Sequence, residues 1–133
     1  MTLNLIRGLP GSGKSTYAKS LCALHLEADM YFMRDCTYQF DSAKIKDAHQ
    51  WCQQSTKLAM ETGMDVTVSN TFCTRWEIQP YLDLAKTYGY KVNLVEMKNQ
   101  YGSIHNVPET VLDNMKARWE IYQRIITMNL HSN

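Results

Sequence analysis

No run of apolar residues approaches the roughly 18 that a membrane span requires, and nothing else in the sequence marks a membrane partner. Cysteine is sparse. Cys22, Cys36, Cys52 and Cys73 stand far apart without a C-x-x-C pair, which argues against a zinc site and for reduced thiols packed in the core of a cytoplasmic protein. Net charge is only +1, short of the basic excess of proteins that grip duplex nucleic acid over a broad face, although a short local contact stays open. The residues before the first glycine lack the basic region, apolar core and cleavage site of an export signal, so a cytoplasmic location is expected. Repeats and low-complexity segments are absent, and nothing points to a protein partner. A chain of 133 residues can bury about two thirds of its unfolded surface, so residues 1–133 read as one domain that folds without disulfide or metal. Its eight methionines fill cores more often than they make binding surfaces.

What is present is a strict alternation of strand and helix signals. Leu3, Leu5 and Ile6 make a short buried strand, and a glycine-rich turn leads from it into a helix starting near Lys14. Tyr17, Ala18, Leu21 and Cys22 give that helix an apolar stripe, with an end expected near Leu24. His25 to Asp29 reads as a second strand with Asp29 at its carboxyl end, and the aromatic stretch from Met30 to Phe40 as an irregular segment folded over a site. Asp41 or Ser42 can cap a helix with apolar positions Ile45, Ala48, Cys52 and Ala59, widened by Trp51 and Leu58 and stopped at Gly63. Val66 and Val68 alternate with Thr67 and Ser69 in a third strand ending at Asn70-Thr71. Thr74 and Glu77 form a capping box for a helix with Ile78, Tyr81, Leu82, Ala85 and Tyr88 on one face, ended by Gly89. Val92 to Met97 is a fourth strand, and Pro108 opens a last helix with Leu112, Met115, Trp119, Tyr122 and Ile126 inward.

Such alternation predicts an α/β fold: a small parallel sheet of about four strands, right-handed crossovers and helices on both faces. Ligands of these sheets bind beyond the carboxyl ends of the strands. The turn after the first strand, Asp29, and Asn70 with Thr71 all fall at such ends.

That first turn, Gly8-Leu9-Pro10-Gly11-Ser12-Gly13-Lys14-Ser15, matches G-x-x-x-x-G-K-[ST], the phosphate loop of P-loop NTPases. Its glycines let successive backbone N–H groups turn toward an anion, and the helix start adds its dipole. Lys14 is placed to bridge the β- and γ-phosphates of ATP or GTP, and the Ser15 hydroxyl to ligate Mg2+. Thr16 follows on the first helical turn.

Taken with Asp29, Asn70-Thr71, Trp76-Glu77, Pro80-Tyr81 and the His105 to Glu120 segment, the loop makes the chain resemble the polynucleotide-kinase-like P-loop proteins, small phosphotransferases often described as AAA-type ATP-binding proteins. The resemblance runs nearly end to end. It implies ATP (or GTP) and Mg2+, with Asp29 as the base that takes the proton of an acceptor hydroxyl and Lys14 serving the transferred phosphate. The implied acceptor is a nucleoside, a nucleotide or a 5′-hydroxyl nucleic-acid end. Two positions depart from the family. Ser69-Asn70-Thr71-Phe72 lacks the acid expected at the end of the third strand, and Lys98 to Pro108 lacks the lid arginine that closes on the transferring phosphate. Asp29 or Asn70 can then hold a Mg2+ water, and Arg34, Arg75, Lys98 or Arg118 can take over the cation's task; His105 is read as a lid-base contact. Two other readings stand beside the kinase: a non-catalytic nucleotide sensor or regulatory module, and a kinase of a small metabolite or antibiotic. The aromatics Tyr31, Phe32, Tyr38 and Phe40 either stack a base or belong to the core.

Overall fold

The computed structural model describes residues 1–98 and 109–121. Strand β1 (Thr2–Gly8) leads through the phosphate loop into α1 (Lys14–Ser20), then β2 (Leu24–Leu26) and a 3-10 helix (Ala28–Phe32). A hairpin of two-residue strands, β3 (Met33–Arg34) and β4 (Thr37–Tyr38), and a 3-10 turn (Ser42–Lys44) precede α2 (Ile45–Glu61). The chain continues through β5 (Val66–Asn70), α3 (Arg75–Tyr88), β6 (Lys91–Met97) and α4 (Glu109–Arg118).

Strands β2, β5, β1 and β6 lie in that order, all parallel, as the alternation predicted. Strand β1 is central, with Arg7 paired to Asn70 of β5 on one side and to Glu96 of β6 on the other. Leu3 and Leu5 join Val66, Val68, Cys52, Ile78 and Tyr81 in the main core, under α2 and α3. Ile6 and Ala18 of α1 are fully buried outside that cluster, so the opposite face is covered as well. A strand covered on both faces cannot keep a wet side. All five residues of β5 are accordingly buried, the polar Thr67 and Ser69 included, and Thr67 Oγ1 accepts a hydrogen bond from Asn4 Nδ2 at 3.2 Å.

Several local expectations change. Helix α1 stops at Ser20 because Leu21 is already extended, with φ −85° and ψ 141°, so Leu21 and Cys22 lie in a turn rather than on a buried stripe. Cys22 and Cys36 are exposed, and the core thiols are Cys52 and Cys73. Strand β2 ends at Leu26, which moves Asp29 off the strand and onto the 3-10 helix beyond it. The Met30 to Phe40 stretch is ordered: Asp35 (φ 50°) and Cys36 (φ 63°) form a two-residue hairpin turn, and the Gln39 N–H donates to the Phe32 carbonyl at 2.8 Å. In α2 the buried line runs Ala48, Cys52, Thr56, Ala59 and Met60. Leu58 lies two thirds of a turn from Cys52 and is 62% exposed instead of widening the stripe.

Other expectations stand. Asp41 caps the 3-10 turn before α2, accepting from the Ala43 N–H at 3.0 Å. Glu77 accepts from the Thr74 N–H at 3.0 Å, completing the capping box, and Gly89 at φ 71° ends α3. Leu112 and Met115 of α4 are half-buried. Pro108, Tyr122 and Ile126, like His105 and most of the lid segment, lie outside the described residues.

Candidate active site

The phosphate loop leaves β1 at the carboxyl edge of the sheet and folds back on itself, with the Ser12 N–H donating to the Leu9 carbonyl at 3.1 Å. Gly11 at φ 82° and Gly13 at φ 86° occupy the left-handed region, which a side chain would strain by about 1–2 kcal/mol. Gly8 is required for a different reason. A Cβ there would stand 2.2 Å from Ser12 Oγ and 3.2 Å from both Met97 Cβ and the Met97 carbonyl, so the loop fits only against a bare backbone. Leu9, Pro10 and Lys14 are half-buried, and Thr16 is exposed.

Beside the loop lies a chain of short polar contacts. The Ser15 hydroxyl donates to Glu27 Oε2 at 2.7 Å, Ser69 Oγ donates to the same oxygen at 3.0 Å, and His25 Nε2 meets Ser69 Oγ at 2.6 Å. Three residues from α1, β2 and β5 are thereby gathered around the Glu27 carboxylate. Burial lowers the pKa of His25, against the pull of Glu27, which favours the neutral imidazole in this network. Burial also lowers that of Lys14, against the opposing pull of Glu27 and then Asp29.

Asp29 is exposed on the 3-10 helix and accepts from the Tyr38 hydroxyl at 3.3 Å. Desolvation and the Asp29 charge together raise the Tyr38 pKa. Asn70 is buried and turned inward: its Oδ1 accepts from the Ala28 N–H at 2.9 Å, pinning the start of the turn that carries Asp29 to the end of β5. Thr71 comes off the sheet next to the loop, its carbonyl accepting from the Gly8 N–H at 3.3 Å.

The three arginines offered as cation sources have separate surroundings. Arg34 is exposed on β3 and lines a cavity of about 520 Å³ with Tyr31, Phe32, Phe40 and Lys44. Arg75 is buried at the first turn of α3, where its N–H donates to Glu120 Oε1 at 2.9 Å, and burial lowers its pKa. Arg118 ends α4 at the surface, 3.9 Å from Glu77, an exposed pair that contributes little. Of the aromatics, Phe32 is core at 4% exposure, whereas Tyr38 and Phe40 stack on each other and are 49% and 54% exposed.

Two contributors were missed in the sequence. Glu27 falls inside the strand expected over His25 to Asp29 and carries no motif of its own. Arg7, fully buried, donates from Nη1 to Glu96 at 2.6 Å, from Nε to the Phe72 carbonyl at 3.1 Å and from Nη2 to the Cys73 and Glu120 carbonyls at 3.3 and 2.8 Å. Its guanidinium lies 3.8 Å from the Trp119 ring centre. Arg7 thus joins β1, β6, the turn after β5 and the end of α4 directly behind the loop. Phe72, whose carbonyl accepts from Arg7, sits in the left-handed region at φ 48°, a strained setting for a bulky residue. The one charge in β1, between Ile6 and Gly8, is the signal the sequence offers.

Among the described residues no group of three or more His, Cys, Asp or Glu is arranged to hold a metal ion. Mg2+ bound with nucleotide does not need one, because it keeps waters and phosphate oxygens and takes one or two hard protein oxygens. Ser15 Oγ and the Glu27 carboxylate, in direct contact, fit that requirement.

Comparison with known proteins agrees with this architecture. A family model described as AAA domain matches residues 3–101. The chain is 33% identical over 143 aligned positions to human NEDD4-binding protein 2, covering 96% of this chain but only 8% of that protein's length. Among solved structures, a chain of the Pnkp1/Rnl/Hen1 RNA repair complex superposes with a TM-score of 0.63 at 14% identity, over 88% of this chain and 43% of the other. The Mycobacterium tuberculosis APS kinase CysC superposes with a TM-score of 0.56 at 18% identity, over 99% and 97%. The chain is therefore a member of the AAA-domain family, built on the fold of the P-loop kinases.

Proposed function

We propose that the protein is a Mg2+-dependent phosphotransferase of a reducing, cytoplasmic setting that binds ATP, or GTP, on residues Gly8 to Thr16 and moves its γ-phosphate to a hydroxyl. The observation that carries this reading is the complete phosphate loop between β1 and α1, with the Ser15 hydroxyl at its end donating to Glu27 at 2.7 Å. Lys14 balances charge on the β- and γ-phosphates, and Mg2+, when bound, neutralises the rest. Asp29, exposed and acceptor-side, takes the proton as the acceptor oxygen bonds to the γ-phosphorus and the bond to the departing nucleoside diphosphate breaks. Asn70 holds the Asp29 turn in place through its bond to the Ala28 N–H, and Thr71 borders the loop that takes the γ-phosphate. The cavity lined by Tyr31 and Phe40 as ring surfaces, by Arg34 and Lys44 as cations and by Asp41 is the acceptor pocket in this reading, for a nucleoside, a nucleotide or a 5′-hydroxyl nucleic-acid end. Of the three candidate arginines, Arg34 is the exposed one that lines this cavity, whereas Arg75 is buried and Arg118 lies 3.9 Å from Glu77.

γ-Labelled ATP offered to nucleosides, nucleotides and 5′-hydroxyl oligonucleotides tests the assignment, with transfer expected to at least one class. A second reading, a non-catalytic nucleotide sensor, is favoured by Ser69 at the end of β5 and by the absence of arginine from residues 98–108. Nucleotide binding without transfer to any acceptor class, small metabolites included, would select it.

A further inference from the structure

Strand β5 ends in Ser69-Asn70 and so brings no carboxylate of its own to the Mg2+ side of the loop. The geometry supplies one from the neighbouring strand. Glu27 follows β2 directly, β2 pairs with β5 so that Leu26 stands opposite Val68, and the Glu27 side chain crosses to Ser69 and on to Ser15. Its carboxylate is shielded, with 21% side-chain exposure, and a single oxygen receives both hydroxyls. The two hydroxyls and His25 Nε2, 3.6 Å away, surround this half-buried carboxylate at the mouth of the loop.

We propose, building on the nucleotide-binding reading above, that Glu27 is the acid of the Mg2+ site, moved from the end of β5 to the end of β2, with Ser69 as its support. Glu27 and Asp29 then divide the work two residues apart. Glu27 turns inward to Ser15 and serves the metal side, while Asp29 faces outward beside Tyr38 and serves the acceptor. In a P-loop site the serine ligates the ion and a nearby acid holds it or its waters, and two adjacent hard oxygens meet that need.

Glu27→Gln keeps an oxygen that can accept from both serines but removes the charge, so it should fold. The affinity of a non-hydrolysable ATP analogue, measured calorimetrically with Mg2+ and with EDTA, gives the gain due to the metal. The wild-type gain should fall by about 10-fold or more in Glu27→Gln, while affinity in EDTA stays the same or rises as a negative charge leaves the site. The exchange variant Glu27→Ser with Ser69→Asp should restore the gain, and it carries the test if Glu27→Gln does not fold. A wild-type gain retained in Glu27→Gln, or a folded exchange variant without any gain, would overturn the assignment and leave nucleotide binding intact. Failure of the wild type to bind the analogue in either condition would overturn both.

Discussion

Arg7, Gly8 and Asp29 show three different ways in which a single residue governs this molecule. Arg7 and Glu96 form an ion pair at 0% and 11% side-chain exposure, and removing one partner leaves the other charge buried. Arg7→Met should therefore cost about 3–5 kcal/mol in urea unfolding; a loss under about 1 kcal/mol would mean that the pair and its three carbonyl contacts do not support the fold. Gly8→Ala drives a methyl into Ser12 and the Met97 backbone. It should lower stability by about 1–3 kcal/mol and weaken nucleotide binding, because the loop must shift to make room. Asp29→Asn keeps the shape of the acceptor-side carboxylate and cannot accept a proton. Phosphotransfer should drop by roughly 10²- to 10⁴-fold with nucleotide affinity within a few-fold, and unchanged transfer would remove Asp29 from the mechanism.

The elements were legible wherever the signal was local. The capping box of α3 and the β-branched run of β5 depend on residues within a few positions, and both appear where the sequence places them. Thr74→Ala should cost about 1 kcal/mol of stability, measurable as a lowered midpoint of chemical unfolding. The end of α1, the length of β2 and the hairpin at Asp35-Cys36 were not legible. Leu21 and Cys22 continue a helical stripe in sequence, but the chain must turn at Leu21 so that Leu24 can pair with Val66, and that demand comes from the sheet. The phosphate loop was readable because its residues are contiguous. Glu27 and Arg7 were not, because Glu27 acquires its role from residues 12 and 42 positions away and Arg7 from residues up to 113 away.

At the scale of the molecule, the parallel order β2-β5-β1-β6 brings the loop, the Asp29 turn and Thr71 to one edge and leaves the opposite ends of the strands to packing. The same layering sorts the thiols. Burial raises the pKa of both Cys52 and Cys73, whereas Cys22 and Cys36 are exposed, so a thiol reagent should label two sites in the native protein and all four only on unfolding. Rapid labelling of all four would contradict the core described above. The central claim is that this edge is a nucleotide site built on Lys14. Calorimetry of Mg2+-ATP and Mg2+-GTP with the wild type and Lys14→Ala tests it most directly. Binding to the wild type, with stabilisation of about 2.7 kcal/mol at 100 times the dissociation constant and loss of most of it in Lys14→Ala, is the predicted result; no heat of binding with either nucleotide, or equal binding by Lys14→Ala, would contradict it.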